Sequence, residues 1–154
     1  MNPGTILHDP TFEFSDSCTP GNKILIVLND ASSIGHFTIV KTTSKPDSKT
    51  GTYGCNLYDR YPNFYIPAGK CVLRENTWIC LDEYFDFSYQ EWLKKCLEEK
   101  DVKTLGQLPD ETLIELLTCS INSEDISHAQ EADLRKTLSS VDPENLIFKD
   151  DIPF

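Results

Sequence analysis

Hydrophobic residues in the first half of the chain occur in short runs separated by turn-forming residues. Residues 23–28 form a continuous aliphatic run after a Pro-Gly-Asn turn, and residues 37–43 form a second run rich in β-branched side chains. Runs of this length and composition are typical of β-strands. Shorter runs complete a set of about six predicted strands, at residues 5–7, 63–66, 71–73 and 77–81. Residues 1–81 are therefore predicted to be β structure.

Short strands at such close spacing favour a small barrel over an open sheet, because closure removes the exposed strand edges. Residues 44–62, between these strands, are rich in Lys, Ser, Gly, Thr and Tyr and are predicted to form a long loop. Long loops in compact domains often carry function. A hairpin tip without a function is the alternative, and the composition does not decide between them.

From residue 88 to residue 138 the apolar spacing becomes helical. Ser88 and Glu91 have capping-box spacing, and one apolar stripe follows at Tyr89, Trp92, Leu93, Cys96 and Leu97. Residues 105–108 interrupt the pattern before Pro109 opens a second helix, which carries Leu113, Leu116, Leu117 and Ile121. Ser127, with Gln130 at capping-box spacing, precedes a third helix. The predicted fold is α+β, a small β-barrel of about six strands with three C-terminal helices packed on it. This domain spans residues 1–138, and residues 139–154 are predicted to be an acidic tail.

Charge is divided unevenly along the chain. The 154 residues include 14 basic and 25 acidic ones, for a net charge of −11, which excludes a generally basic nucleic-acid-binding protein. Residues 1–81 hold seven of each sign, whereas residues 82–154 hold seven basic and 18 acidic residues. The first half is therefore free to bind an anion. No apolar run approaches the ~20 residues that span a bilayer, so a soluble protein with no membrane partner is expected.

The cysteines predict a reducing compartment. None of the six belongs to a C-x-x-C pair or to a Cys/His cluster at zinc-ligand spacing, so no metal site is predicted. The N-terminus lacks the basic stretch and apolar core of a secretory signal. A cytoplasmic location is therefore expected. Four cysteines with apolar neighbours are predicted to be small buried thiols: Cys71, Cys80, Cys96 and Cys119.

Motifs for ATP, dinucleotide or metal-hydrolase chemistry do not occur in the sequence. A series of short motifs does occur in a recognisable order: Pro3-Gly4-Thr5-Ile6, the glycine-led run of residues 21–28, Thr42-Thr43-Ser44, the strand of residues 77–81, and residues 102–109 leading into the apolar helix of residues 113–117. Over residues 3–120 this order resembles the PemK/MazF-like family of toxin endoribonucleases. The resemblance implies an SH3-like barrel and a homodimer.

The resemblance also implies a reaction. Members of that family cleave single-stranded RNA without a metal or other cofactor, by driving the 2′-hydroxyl onto the adjacent phosphate. An arginine before the second strand and a Thr-Ser pair are central to this chemistry in the family. In this chain Lys23 stands at the position of the arginine, the following proline is absent, and Thr43 and Ser44 match the pair. Lysine keeps the positive charge but lacks the planar fork that grips a phosphate.

Further residues near these positions are candidates for the same site. His36 precedes the strand that carries Thr43 and is predicted as a proton-transfer group, with an ordinary surface histidine as the alternative. Arg60 lies between two tyrosines, an arrangement found in single-strand recognition. Lys41 and Lys45 flank the Thr-Ser pair and are predicted, with Ser44 and Arg60, to bind RNA. Solvated side chains are the alternative for each.

Two functions of different classes follow from the sequence. The first is a metal-independent endoribonuclease, the toxin of a toxin–antitoxin system, with Lys23, Thr43 and His36 as catalytic residues and an antitoxin as protein partner. The second is a non-catalytic interaction module that binds a protein partner through its acidic C-terminal half. An acidic nucleic-acid mimic is a third interpretation. Convergence of Lys23, Thr43, His36 and Arg60 on one groove would favour the nuclease.

Overall fold

The computed structural model describes residues 1–12, 21–30, 35–98 and 102–142. This part of the chain contains eight strands and three helices. In chain order they are β1 (Thr5–Phe12), β2 (Gly21–Val27), β3 (His36–Thr43), β4 (Gly54–Asn56), β5 (Asn63–Ile66), β6 (Thr77–Cys80), β7 (Phe85–Ser88), α1 (Tyr89–Glu98), β8 (Lys103–Gln107), α2 (Asp110–Ile121) and α3 (His128–Val141).

The strands form one antiparallel sheet with the order β4-β5-β6-β3-β2-β1-β8. β3 is its central strand. One edge of β3 pairs with β2, and the other edge is shared between two strands. β7 pairs with β3 from His36 to Ile39, and β6 pairs with its end at Thr42 and Thr43. This arrangement makes the end of β3 a junction of three strands.

The α+β class and the three helices are confirmed, whereas the closed barrel is not found. Within the described residues β4 and β8 are the two ends of the strand order and do not pair with each other. Eight strands replace the predicted six. The long loop expected at residues 44–62 contains β4, and β8 occupies the interruption seen between the first two helices. Residues 71–73 are not a strand, because they belong to a turn in which the Gly69 amide donates to the Leu73 carbonyl.

Successive side chains along the strands point to opposite faces of the sheet, and each face carries a hydrophobic core. On one face Ile6, Ile26 and Val40 pack in the larger core with the buried side of α2 and with Leu134 and Leu138 of α3. On the opposite face Leu7, Leu25 and Ile39 pack with Trp92 of α1 and with the phenylalanines of β7. A continuous aliphatic run in β2 is thus explained by burial on both faces.

The helix termini follow the predicted caps closely. The Ser127 hydroxyl accepts a hydrogen bond from the Gln130 amide, and the Gln130 side chain accepts one from the Ser127 amide, which confirms the capping box of α3. The Ser88 hydroxyl accepts from the Glu91 amide at the start of α1. Pro109 is the N-cap of α2 rather than its first helical residue, a shift of one position. α3 extends to Val141, three residues into the predicted tail.

One cysteine prediction is wrong. Cys119, expected to be a buried thiol, forms a disulfide with Cys55. The Cα atoms lie 5.6 Å apart although the residues are 64 positions apart in the sequence, and the bond joins β4 to α2. Only the fold brings these residues together, so the apolar neighbours of Cys119 gave no sign of the pairing. Cys71 and Cys80 are free and partly buried.

Several predictions fall on residues whose placement is not described. The side chains of Leu93, Cys96 and Leu97 in the α1 stripe lie outside the described set, as do residues 143–154 of the predicted acidic tail. Among the described helices, none is both long enough and apolar enough to cross a membrane.

Candidate functional site

A groove of about 930 Å³ opens beside the middle of β1, the start of β2 and the end of β3, next to the turn that precedes β6. Three groups of side chains line it. Lysines and hydroxyls come from β2 and from the end of β3, and residues 72–77, which include Arg74, complete the lining with Leu105 of β8. The lining residues are His8, Lys23, Ile24, Thr42, Thr43, Ser44, Lys45, Val72, Leu73, Arg74, Glu75, Thr77 and Leu105. We call this cavity the cationic groove.

Lys23 is the central cation of the groove. It is half-buried on β2, and its ammonium group donates a hydrogen bond of 3.2 Å to the carbonyl oxygen of Thr42 on the neighbouring strand. Burial lowers the pKa of Lys23 below its ordinary value of 10.5, and the nearby charges of Lys41 and Lys45 lower it further, against the opposing effect of Cys80. A bound anion would relieve this crowding of positive charge.

The end of β3 supplies the hydroxyl groups. The hydroxyl of Thr42 donates to the Ile24 carbonyl and is committed to joining β2 and β3. The hydroxyl of Thr43 accepts a 3.2 Å hydrogen bond from the Lys45 amide, so its own proton can be donated to a ligand oxygen. Ser44 is exposed beside it in the same groove. The Thr-Ser pair predicted from the sequence therefore faces the groove that contains Lys23.

His8 and Arg74 belong to the groove but were not among the site residues predicted from the sequence. His8 is opposite Ile24 in the β1–β2 register, and the next pair is Asp9 with Lys23. Arg74 follows Leu73, whose buried side chain holds the turn of residues 69–73 against the core. The alternation of β1, with Ile6 and His8 on one face, is the signal that could have placed His8. Arg74 had no such signal, because it lies just after the strand predicted at residues 71–73.

Gly106 allows the wall of the groove to form. A Cβ atom at this position would lie only 2.9 Å from Cγ1 of Val72, so a side chain would displace the turn of residues 67–76 from β8. With glycine there, Val72 and Leu105 line an apolar wall opposite the cations. Gly106 belongs to the segment of residues 102–109 that contributed to the family resemblance, and the glycine thus has a local structural reason.

A second, smaller cleft of about 330 Å³ adjoins the first. Lys23 and Thr43 line both cavities, so the two meet at the start of β2 and the end of β3. The other residues of this second cleft are Lys41, Asp47, Lys49, Tyr61, Pro62, Cys80 and Asp82. Lys41, predicted to bind RNA, lies here with its ammonium 3.5 Å from Oε1 of Glu83. Burial and the charge of Asp82 raise the pKa of the Cys80 thiol in spite of the surrounding lysines, which disfavours its thiolate form.

His36 and Arg60 lie outside both cavities. His36 is at the first residue of β3, where its Nε2 atom is 3.2 Å from Oδ2 of Asp133 on α3. Seven residue steps along an extended strand put it ~23 Å from Thr43. Arg60 is exposed, with its guanidinium 5.4 Å from the ring centre of Tyr61, which does line the second cleft. The structure therefore brings together Lys23, Lys41, Thr43, Ser44 and Lys45 but leaves His36 apart.

The chemistry of this arrangement is that of an anion site. Across the two cavities four lysines, an arginine and a histidine lie around donor hydroxyls, with Glu75 as the acidic residue of the larger cavity and Asp47 and Asp82 in the smaller one. No group of three or more His, Cys, Asp or Glu side chains with metal-binding geometry occurs in the described residues. Comparison with known proteins gives no assignment, because no protein-family model matches the chain and no curated protein matches it.

Proposed function

We propose that the cationic groove binds single-stranded RNA and cleaves it by a metal-independent reaction. The observation that carries the proposal is the common placement of Lys23, Thr43, Ser44 and Lys45 in one groove. Grooves that hold single strands combine cations along the backbone path with exposed aromatic rings beside it. Here Arg74 and Lys23 supply charge within the groove, and Tyr61 lies in the adjoining cleft.

The proposed reaction is a phosphoryl transfer within the RNA chain. A base takes the proton of the 2′-hydroxyl, whose oxygen bonds to the adjacent phosphorus while the bond to the 5′-oxygen breaks and that oxygen receives a proton. The products are a 2′,3′-cyclic phosphate and a 5′-hydroxyl. His8 and Glu75 are the two groove residues suited to these proton transfers. Lys23 and the Thr43 hydroxyl would stabilise the charge on the phosphorane.

A relationship to the PemK/MazF-like toxins, with their SH3-like barrel, homodimer and antitoxin partner, is part of this proposal. It is supported by where the short motifs lie: Gly4 precedes β1, Thr43 ends β3, and Gly106 stands near the end of β8 just before α2. His36, which the sequence suggested as a catalytic residue, has no role in the proposed reaction because it lies at the far end of β3.

The cytoplasmic location also stays a prediction. The Cys55–Cys119 disulfide weighs against it, because disulfides persist mainly in oxidising compartments. Thiol labelling of the protein in freshly lysed cells would decide the question. A cytoplasmic protein is expected to label at both cysteines without prior reduction, whereas an exported one would label there only after it.

The interaction module is the second candidate function. Exposed carboxylates at the start of α2 and in the turn before α3 support it, since they form an acidic surface outside the groove: Asp110, Glu111, Glu115, Glu124 and Asp125. A module of this kind would bind a basic protein partner there. It would not depend on Lys23 or Thr43, which distinguishes it from the nuclease.

The test is cleavage of a mixed single-stranded RNA in the presence of EDTA. The wild-type protein and the control Lys94→Ala, an exposed lysine of α1, should both yield 2′,3′-cyclic phosphate ends. Lys23→Ala should be slower by roughly 100-fold, the loss typical of removing one group that stabilises transition-state charge. Thr43→Ala should also be slower. RNA left intact by the wild type would refute the nuclease, and equal cleavage by Lys23→Ala would refute this placement of the site.

A further inference from the structure

We propose that the second cleft is the base-binding part of the same RNA site, and that it takes a nucleobase with an exocyclic amino group. This inference rests on the proposed function. It adds two things to that function, a base preference and a path for the RNA. The RNA runs from the cationic groove past β2 and β3 into the cleft. Both follow from the residues that line the cleft.

The two residues shared by the cavities set the path of the RNA. Lys23 and Thr43 line both of them, so a phosphate bound there lies at the boundary between the groove and the cleft. The next nucleotide is then positioned to enter the cleft. A volume of about 330 Å³ suits one nucleobase rather than a longer stretch of strand.

Tyr61 is the stacking surface of the cleft. It is 40% exposed, with Lys49 and Arg60 over its ring at 5.2 and 5.4 Å from the ring centre, so a stacked base takes the place of one of these cations. Single-stranded nucleic acids are commonly held by stacking of bases on such rings next to cations. Lys49 lines the cleft itself and is therefore placed to meet the phosphate that follows the stacked base.

Hydrogen bonds hold the backbone around Tyr61 in place before any ligand binds. The buried Asn63 side chain donates 2.8 Å to the Tyr61 carbonyl and 2.9 Å to the carboxylate of Asp59. Asp59 also accepts from the amide and hydroxyl of Thr50, whose carbonyl accepts from the Trp78 indole. Although desolvation opposes it, these bonds lower the pKa of Asp59. A backbone that is already ordered at the stacking residue reduces the entropy lost on binding.

The carboxylates of Asp47 and Asp82 determine what kind of group fits beside the ring. Both are exposed and line the cleft. Three lysines line the same cleft and meet the backbone, so the two carboxylates are the hydrogen-bond acceptors that select the base. A carboxylate accepts hydrogen bonds from an amino group such as N4 of cytosine. Uracil has a carbonyl oxygen at the same position and would be repelled, which predicts a preference for cytosine over uracil.

The experiment compares two labelled hexamers, one all-uridine and one with a single central cytidine, by fluorescence anisotropy. Both carry 2′-fluoro sugars, which lack the attacking hydroxyl, so binding is measured without cleavage. Wild type should bind the cytidine hexamer roughly fivefold or more tightly. The double variant Asp47→Ala/Asp82→Ala should lose that ratio. Equal affinity of wild type for the two hexamers would overturn the base preference.

Substitutions at tyrosine test the stacking surface. Tyr61→Ala should weaken binding of both hexamers by roughly 5- to 150-fold, and Tyr61→Phe should bind as wild type does. Tyr58→Ala is the matched control, since Tyr58 is fully exposed and lines neither cavity. Wild-type affinity in Tyr61→Ala would refute the cleft as a base site. If neither hexamer binds the wild type, or Lys23→Ala binds equally well, the proposed function itself fails.

Discussion

At the scale of single residues, the character of the groove depends on having a lysine at position 23. An arginine there would stay charged at every accessible pH. Lys23 instead has a pKa that is lowered by burial and by the charges of Lys41 and Lys45. The groove therefore has a central cation whose charge responds both to its neighbours and to a bound anion.

Removing one neighbouring charge should raise the pKa of Lys23. We predict this for Lys41→Met, with the pKa moving towards 10.5 but not reaching it, because burial is the largest cause of the shift and remains. The measurement is a pH titration of the lysine side-chain amines by NMR. Lys94→Met, at an exposed position on α1, should leave Lys23 unchanged. A Lys23 that titrates at 10.5 in the wild type would contradict the described environment.

The same shift predicts how Lys23 affects stability across the pH range. Because its pKa is lower in the folded state, the unfolded chain binds more protons between that value and 10.5, and the free energy of unfolding rises with pH there. The contribution of Lys23 to the free energy of unfolding is therefore smallest at pH values below its folded-state pKa. Urea unfolding of the wild type and of Lys23→Met should show the wild type gaining stability relative to the variant as the pH rises through this window. A difference that does not change with pH would contradict it.

At the scale of elements, the disulfide between Cys55 and Cys119 ties the short edge strand β4 to α2. β4 has only three residues, which gives it few ladder hydrogen bonds of its own. The bond closes a loop with a sequence separation of 64 residues. Loop-closure entropy for that length corresponds to roughly 4 kcal/mol.

We predict that Cys55→Ala/Cys119→Ala lowers the free energy of unfolding by ~2–4 kcal/mol, measured by urea denaturation. Adding a reductant should destabilise the wild type by a similar amount and leave the double variant unchanged. The double variant is therefore the control for any effect of the reductant on Cys71 or Cys80. Equal stability of wild type and variant without reductant would show that the two cysteines are not joined in solution.

Elements defined by local signals were predictable, and those defined by distant contacts were not. The capping box at Ser127 and the apolar runs of β2 and β3 lie within a few residues, so the sequence displays them directly. β8 is largely exposed and is a strand because it pairs with β1, about 100 positions earlier. The same distinction applies to the site. Thr43, Ser44 and Lys45 are consecutive, whereas His8 and Arg74 reach the groove from other elements.

At the scale of the whole molecule, local charge and net charge have opposite signs. The chain carries −11, yet the groove and its adjoining cleft contain Lys23, Lys41, Lys45, Lys49 and Arg74. Exposed charges farther apart than the Debye length of ~8 Å at physiological salt hardly interact. Acidic side chains on the far surfaces of α2 and α3 therefore weaken RNA binding less than the net charge suggests, and the lysines near the bound phosphate determine it.

This predicts that binding weakens as salt increases, although the protein is acidic. If three phosphates contact groove cations, a plot of log affinity against log salt for a single strand should have a slope of about −2, at ~−0.7 per phosphate. Lys45→Ala should make the slope shallower by ~0.7, whereas Lys94→Ala should not change it. Anisotropy titrations of the all-uridine 2′-fluoro hexamer between roughly 50 and 200 mM salt measure both slopes. A slope near zero would mean that the groove cations do not bind the RNA backbone. An unchanged slope in Lys45→Ala would mean that no phosphate contacts Lys45 at the end of β3.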